Sequence, residues 1–245
     1  MSDIYETDID RILADNIIFR SVTGSKAYGL DTVTSDTDIR GVYISPPGAR
    51  LGLFYTEQKR GEIDDTHFCD VSQFFKHVVT GAPNWVESLF VRADLTECGS
   101  LWQPVMEARQ MFLTKTLVAK SIGFMLSSVR RSNNAQERKG SDDHLLSVDR
   151  KRVMHAVRMG RMLLDLINTG DFLVDRTHER EELLALKHGT RSLQSGYDEI
   201  DGLVCDIKGR LTSCSLPEDC DPYAVNRMIV DMVLAYWIAN EWISG

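Results

Sequence analysis

The sequence predicts an α/β chain of the α+β kind, in which a mixed strand-and-helix half is followed by a helical half. Three observations carry that expectation. β-Branched runs punctuated by Gly, Ser and Pro turns fill the first hundred residues. From about Leu113 onward, apolar residues recur at three- and four-residue intervals, as on one face of a helix. No Gly/Ser/Pro-rich linker separates the two halves, so they are expected to pack on each other. The boundary falls near residues 103–112, giving units 1–112 and 113–245.

Residues 7–15 read as a short amphipathic helix, with Ile9, Ile12 and Leu13 on one side. NIIFRSVT (16–23) reads as a strand, after which Gly24-Ser25 turns the chain and Ser35 can close the following loop. TDIRGVYI (37–44) reads as a second strand, ended by Pro46-Pro47-Gly48, and residues 62–69 as a third. Asp70 is the residue type that caps a helix, here 71–80 with Gly81 beyond its end, and Pro83 opens another helix over 84–90. In the second half Leu113, Leu117, Ile122, Met125 and Val129 share a helical face, and the polar SNNAQERKGS (132–141) reads as a loop. Residues 148–169 form a helix with the stripe Val153, Val157, Leu163, Leu164 and Ile167, closed by Gly170. A shorter helix, 179–187, stops at Gly189, and Asp221-Pro222 starts a last one over 223–242.

With 43% hydrophobic and 26% charged residues among 245, the chain excludes a disordered tail, a collagen-like fibre and a disulfide-dense mini-protein. A net charge of −8 argues against a surface that grips nucleic acid all round, and leaves room for a local basic patch. Five cysteines without a C-x-x-C pair point to free thiols in a reducing cytoplasm. His67 and Cys69 can share a metal, or simply face the same way on a strand. No leader of basic then apolar residues opens the sequence, and the apolar stretch 228–243 is broken by Asp231, Asn240 and Glu241, so no membrane is expected. The four tryptophans, Trp85, Trp102, Trp237 and Trp242, read as core or interface residues rather than base-stacking platforms.

Two clusters carry chemistry: TGSKAYGL (23–30) and SDTDIRG (35–41). On an extended strand Asp36 and Asp38, two apart, project from one side. Two ionised carboxylates so placed repel each other, and a shared divalent cation removes the repulsion; hard oxygen ligands suit Mg²⁺ or Mn²⁺. Gly24 permits a tight turn and close approach by a ligand, while Ser25 adds a hydroxyl and the backbone amides after it can face an anion. A phosphate binder beside a paired-carboxylate site is suited to phosphoryl or nucleotidyl transfer. In the helical half, residues 130–161 hold nine Lys/Arg against four acids, a net +5 within an acidic chain. Lys151, His155 and Arg158 form one stripe of a helix. That stripe is either a solvated face or one that closes over the cleft onto a triphosphate or a nucleic-acid end, and His155 is either structural or functional.

The order Gly-Ser, ten residues, then Asp36-x-Asp38 resembles the DNA polymerase beta-like nucleotidyltransferase superfamily. GSKAYGL and SDTDIRG look more specifically like the predicted nucleotidyltransferases associated with RNA-repair operons, the RlaP-like family. The resemblance continues through DVSQFFKHVVTGAPNWVESLF (70–90), KRVMHAVRMGRMLLDLINTG (151–170) and REELLALKHG (180–189). It implies a polymerase-beta-type nucleotidyltransferase core with a mixed sheet, then a C-terminal helical domain. It implies Mg²⁺- or Mn²⁺-dependent movement of a nucleoside monophosphate from an NTP to a hydroxyl, with pyrophosphate released. The acceptor implied is an RNA or tRNA end, with a protein hydroxyl as the alternative. A non-catalytic nucleotide-binding regulatory module and a metal-dependent phosphodiesterase are the rival classes. The superfamily pattern adds a third carboxylate, and Asp65, five residues before Asp70, sits at the matching place; Asp64 competes, and since a one-residue slip reverses the facing of a strand side chain only one of the two can point into the site. Asp36, Asp38 and Asp65 are then the catalytic metal ligands. Gly24, Ser25, Lys26, Arg40, Lys151, His155 and Arg158 are the candidates for phosphate and nucleotide binding, with Arg40 equally suited to neutralising the aspartate pair.

Overall fold

The computed structural model describes residues 16–53, 55, 57–60, 66–138 and 143–243, which form one mixed five-stranded sheet and ten α-helices. The strands are β1 (Ile17–Thr23), β2 (Asp38–Tyr43), β3 (Gln58–Arg60), β4 (Thr66–Asp70) and β5 (Thr96–Cys98), in the order β3-β4-β2-β1-β5. β1 runs antiparallel to both β2 and β5, β3 antiparallel to β4, and β2 parallel to β4. The helices are α1 (Gly24–Ala27), α2 (Pro47–Arg50), α3 (Val71–Val79), α4 (Pro83–Ser88) and α5 (Gln103–Ala108), then α6 (Lys115–Arg138), α7 (Asp143–Thr169), α8 (Arg180–His188), α9 (Leu193–Leu211) and α10 (Pro222–Ala239). The architecture is α+β, as expected of a polymerase beta-like nucleotidyltransferase core.

Aromatic residues fasten the sheet to its covering helices. Phe19 of β1 stacks on Trp102 at 4.8 Å between ring centroids, and Phe74 and Phe75 of α3 close on the same indole at 5.2 and 5.9 Å. Asp70 links β4 to α3. Its carboxylate is fully buried and caps α3 by accepting from Ser72 N at 2.9 Å. The same carboxylate accepts from Ser45 N and Oγ, from Tyr55 Oη and from Arg50, so every direction around a buried charge is filled.

The core is continuous from Ile18 to Trp237. The last helix returns to the first strand: Tyr236 Oη donates to Asn16 Oδ1 at 2.8 Å and Trp237 Nε1 donates to the Ser45 carbonyl at 3.0 Å. Trp85, Trp102 and Trp237 are buried, and the five cysteines are free thiols. Among the described residues no single helix is long and apolar enough to cross a membrane.

Several expectations need correction. The polar stretch 132–141 is not a loop as far as Arg138, because α6 runs through it. Ala, Gln, Glu and Arg are good helix formers, and an all-polar turn is stable on a solvated helix. The 19-residue helix α9 has no counterpart in the sequence reading, and it carries Gly196, Gly202 and Gly209, a residue type that is costly inside a helix. Gly196 is there for packing: a Cβ would lie 2.5 Å from Val153 Cγ1 of α7. β2 begins at Asp38 rather than Thr37, so Asp36 precedes the strand and strand alternation does not fix its facing. The helix expected over 7–15 and the strand start expected over 62–65 lie outside the described residues.

Candidate active-site cleft

The site begins where the β1–β2 ladder ends. Thr23 is opposite Asp38 in the antiparallel register, so the chain leaves the sheet at the point where Asp38 enters it. Gly24 makes the exit with φ +67°, a conformation L-residues rarely adopt. A Cβ at this position would also collide with Asp38 Oδ2 and lie 2.9 Å from its Cγ. The one-turn α1 follows, with Tyr28 N donating to the Gly24 carbonyl at 3.2 Å and Leu30 N to the Ser25 carbonyl at 2.8 Å. Lys26 Nζ donates to Thr37 Oγ1, and Ser35 Oγ closes the loop by accepting from Thr32 N at 2.8 Å.

This loop is clamped from the helical half. Arg176 N donates to the Tyr28 carbonyl at 2.9 Å, and the Arg180 guanidinium donates to the carbonyls of Gly29 and Asp31. Arg176 is itself buried and held by Asp165 at 2.6 Å and Glu179 at 2.7 Å.

α7 supplies the facing wall. Arg158 is 2% exposed and donates to both carboxylate oxygens of the buried Glu87, at 3.1 and 3.3 Å. Tyr28 Oη donates to the same Glu87 at 2.8 Å, and Arg158 Cζ lies 3.6 Å from the centroid of the Tyr28 ring. Burial, then the Glu87 charge, pushes the Tyr28 phenol well above its ordinary value. Burial alone would lower the Arg158 guanidinium, but Glu87 more than offsets it and keeps the group charged. His155 meets Tyr28 edge to face at 5.9 Å. Burial, followed by the cations Arg158, Lys151 and Lys187, holds its imidazole down to about 3, so it is neutral at physiological pH.

The third side comes from β2, β4 and α4. The Arg40 guanidinium donates to the Asn84 carbonyl and lies 5.1 Å over the Trp85 ring. Trp85 also stacks on His77 at 5.1 Å and meets His67 edge-on at 4.9 Å. Burial, then the Arg40 charge, lowers the His77 imidazole.

Between these walls lies a cavity of about 380 Å³, large enough for one nucleotide-sized ligand. Thr23, Gly24 and Asp38 line one side, Arg40, Thr66, His67 and Asn84 the side formed by β2, β4 and α4, and Tyr28, Phe124, His155, Arg158 and Met159 the helical side. Of the residues singled out from sequence, Gly24, Asp38, Arg40, His155 and Arg158 therefore meet in one cleft. Ser25 and Lys26 occupy the α1 turn beside it. Asp36 is exposed in the loop before β2, and Lys151 is exposed one turn of α7 before His155; neither is on the cleft wall. Asp64 and Asp65 lie outside the described residues.

No cluster of three His, Cys, Asp or Glu able to hold a metal forms among the described residues. The donor chemistry nonetheless fits a hard cation. Asp38 presents a carboxylate on the cleft wall, seated in the space that the missing Gly24 side chain leaves for it. Glu87, Tyr28 and Arg180 were not singled out from sequence. The signal for Glu87 is a lone acid inside the apolar helix PNWVES, where an unpaired charge is costly.

A family model described as the RNA repair pathway DNA polymerase beta family (RlaP) matches residues 1–222. No curated protein matches the chain in sequence. Among solved structures, a nucleotidyltransferase-like protein from Exiguobacterium sibiricum 255-15 is similar at 11% identity, over 96% of this chain and 89% of that one, with a TM-score of 0.31.

Proposed function

The chain belongs to the RlaP family of RNA repair pathway polymerase beta-like proteins, and from that premise we propose that it transfers a nucleoside monophosphate from an NTP to a hydroxyl at an RNA end. The observation that carries this reading is the placement of Asp38 against Gly24 on the wall of a nucleotide-sized cleft. The acceptor oxygen bonds to the α-phosphorus while the bond to the pyrophosphate oxygen breaks, and the hydroxyl proton passes to a carboxylate of the site.

Asp38 would hold a divalent ion at the cleft wall, with Asp36, two residues before it in the loop, and Asp65 as the further carboxylates. A divalent ion such as Mg²⁺ or Mn²⁺ held there would supply charge against the triphosphate and would lower the pKa of the acceptor hydroxyl. The chain's own residues set the rest. The α1 turn that opens at Gly24 would offer backbone amides and the Ser25 hydroxyl to the phosphates. Arg40, fixed by Asn84 and Trp85, brings a positive charge that needs no reorganisation when the phosphates arrive. Lys26, tied to Thr37, adds a second charge beside the same loop. Arg158 supports the site from below, since its charge is matched by Glu87 and its plane carries Tyr28. Lys151, exposed on α7 one turn before His155, supplies attraction for a polyanionic acceptor.

The test is incubation with α-labelled NTPs, Mg²⁺ or Mn²⁺ and RNAs of defined ends. The expected product is a labelled acceptor sensitive to nuclease and not to protease, formed with one pyrophosphate per label. Protease-sensitive label would move the assignment to a protein hydroxyl. Absence of both labelling and metal-dependent NTP binding would overturn it.

A further inference from the structure

The two sides of the cleft differ in chemistry. The sheet side carries Thr23, Gly24 and Asp38, of which the Asp38 carboxylate suits a cation that would in turn carry phosphates. The helical side carries Phe124 of α6, a residue 37% exposed. Among the described residues it is the one exposed large hydrophobic side chain that lines this cleft; the others lie elsewhere on the surface. An aromatic ring left facing a polar cleft loses the benefit of burial unless a ligand covers it. Its backbone is held in place: the hydroxyls of Ser127 and Ser128 both donate to the Phe124 carbonyl at 2.9 Å. A ligand that meets both sides needs an anionic end and a flat apolar end.

Resting on the function proposed above, we propose that Phe124 is the stacking platform for the base of the bound NTP, and that the cleft prefers purine to pyrimidine triphosphates because a purine covers more of the ring. Base–aromatic stacking tolerates any base but strengthens with the area of the π-face. His155 and Met159 of α7 line the same cleft. The imidazole, neutral in this position, offers the base edge one hydrogen-bond donor or acceptor without drawing a phosphate to the wrong end.

The experiment is calorimetric titration of the full-length protein, in Mg²⁺, with ATP, GTP, CTP, UTP and inorganic tripolyphosphate. The variants are Phe124→Ala, Phe124→Leu and Phe124→Trp. The wild type should bind purine triphosphates more tightly than pyrimidine ones. Phe124→Ala and Phe124→Leu should weaken ATP and GTP about tenfold or more, the size of one base stack, and leave tripolyphosphate unchanged, while Phe124→Trp keeps purine affinity. Equal binding of all four NTPs by the wild type, or unaltered ATP affinity in Phe124→Ala, overturns the proposal. Equal weakening of ATP and tripolyphosphate also overturns it, by showing a structural role. Loss confined to an RNA oligonucleotide overturns it in favour of the acceptor's base. Failure of the wild type to bind any NTP would instead contradict the function on which the proposal rests.

Discussion

Asp38 Oδ2 occupies the space that a Cβ on residue 24 would fill, so the carboxylate at the start of β2 and the glycine at the end of β1 are built as one unit. Two penalties fall on any replacement at this position: the collision itself, and a left-handed φ of +67°. Gly24→Ala should destabilise the fold by about 1–3 kcal/mol and lower transfer by a hundredfold or more (about 2.7 kcal/mol of barrier), because Asp38 must move to make room. Denaturant titration beside kcat/KM checks this. A variant with wild-type turnover would show that the close approach has no part in the reaction.

The Glu87–Arg158 pair predicts a different pattern. Both side chains are buried, at 4% and 2% exposure, and Tyr28 shares the same carboxylate. Glu87→Gln leaves a buried guanidinium without a counter-charge and should cost about 3–5 kcal/mol in urea titration. Adding Arg158→Met to that variant should recover part of the loss, since no charge is then left unpaired. Two single losses that simply add would show that the residues do not act on each other.

His155 gives the stability a sloping acid limb. Its imidazole is lowered from 6.5 to about 3, first by burial and then by the neighbouring cations. Above pH 6.5 neither the folded nor the unfolded chain protonates this group, and it adds no slope. Between 6.5 and about 3 the unfolded chain takes up a proton that the folded chain refuses. Stability then falls by about 1.4 kcal/mol per pH unit. Denaturant stability of the wild type and His155→Asn, followed from pH 7 to 4.5, should diverge with that slope, the wild type losing more. Parallel curves would mean that His155 protonates in the folded state as it does in water.

What was legible in the sequence follows from how local the cause is. Asp70 caps α3 because its own side chain reaches Ser72 N two residues on, and Gly189 ends α8 because it takes φ +81°. Both are decided within one turn of chain. The Gly24–Asp38 pairing was legible because both residues flank a single loop between adjacent strands. α9 was not legible, since it carries three glycines, of which Gly196 is set by the distant Val153 rather than by its neighbours. The same holds for Glu87 and for Arg180, which grips carbonyls some 150 positions earlier. Asp36 shows the limit of periodicity: the two-residue alternation holds only on a strand, and β2 starts after it.

The role of Asp38 is open to one direct measurement: the rate of NTP-to-RNA transfer, with Mg²⁺ present and withheld, for the wild type and for folded Asp38→Asn, which keeps shape and removes charge. The expected result is metal-dependent transfer with pyrophosphate release in the wild type and a rate about a thousandfold lower, or roughly 4 kcal/mol of barrier, in the variant. Transfer by Asp38→Asn at the wild-type rate, or a wild-type rate indifferent to Mg²⁺, would place the chemistry somewhere other than this cleft.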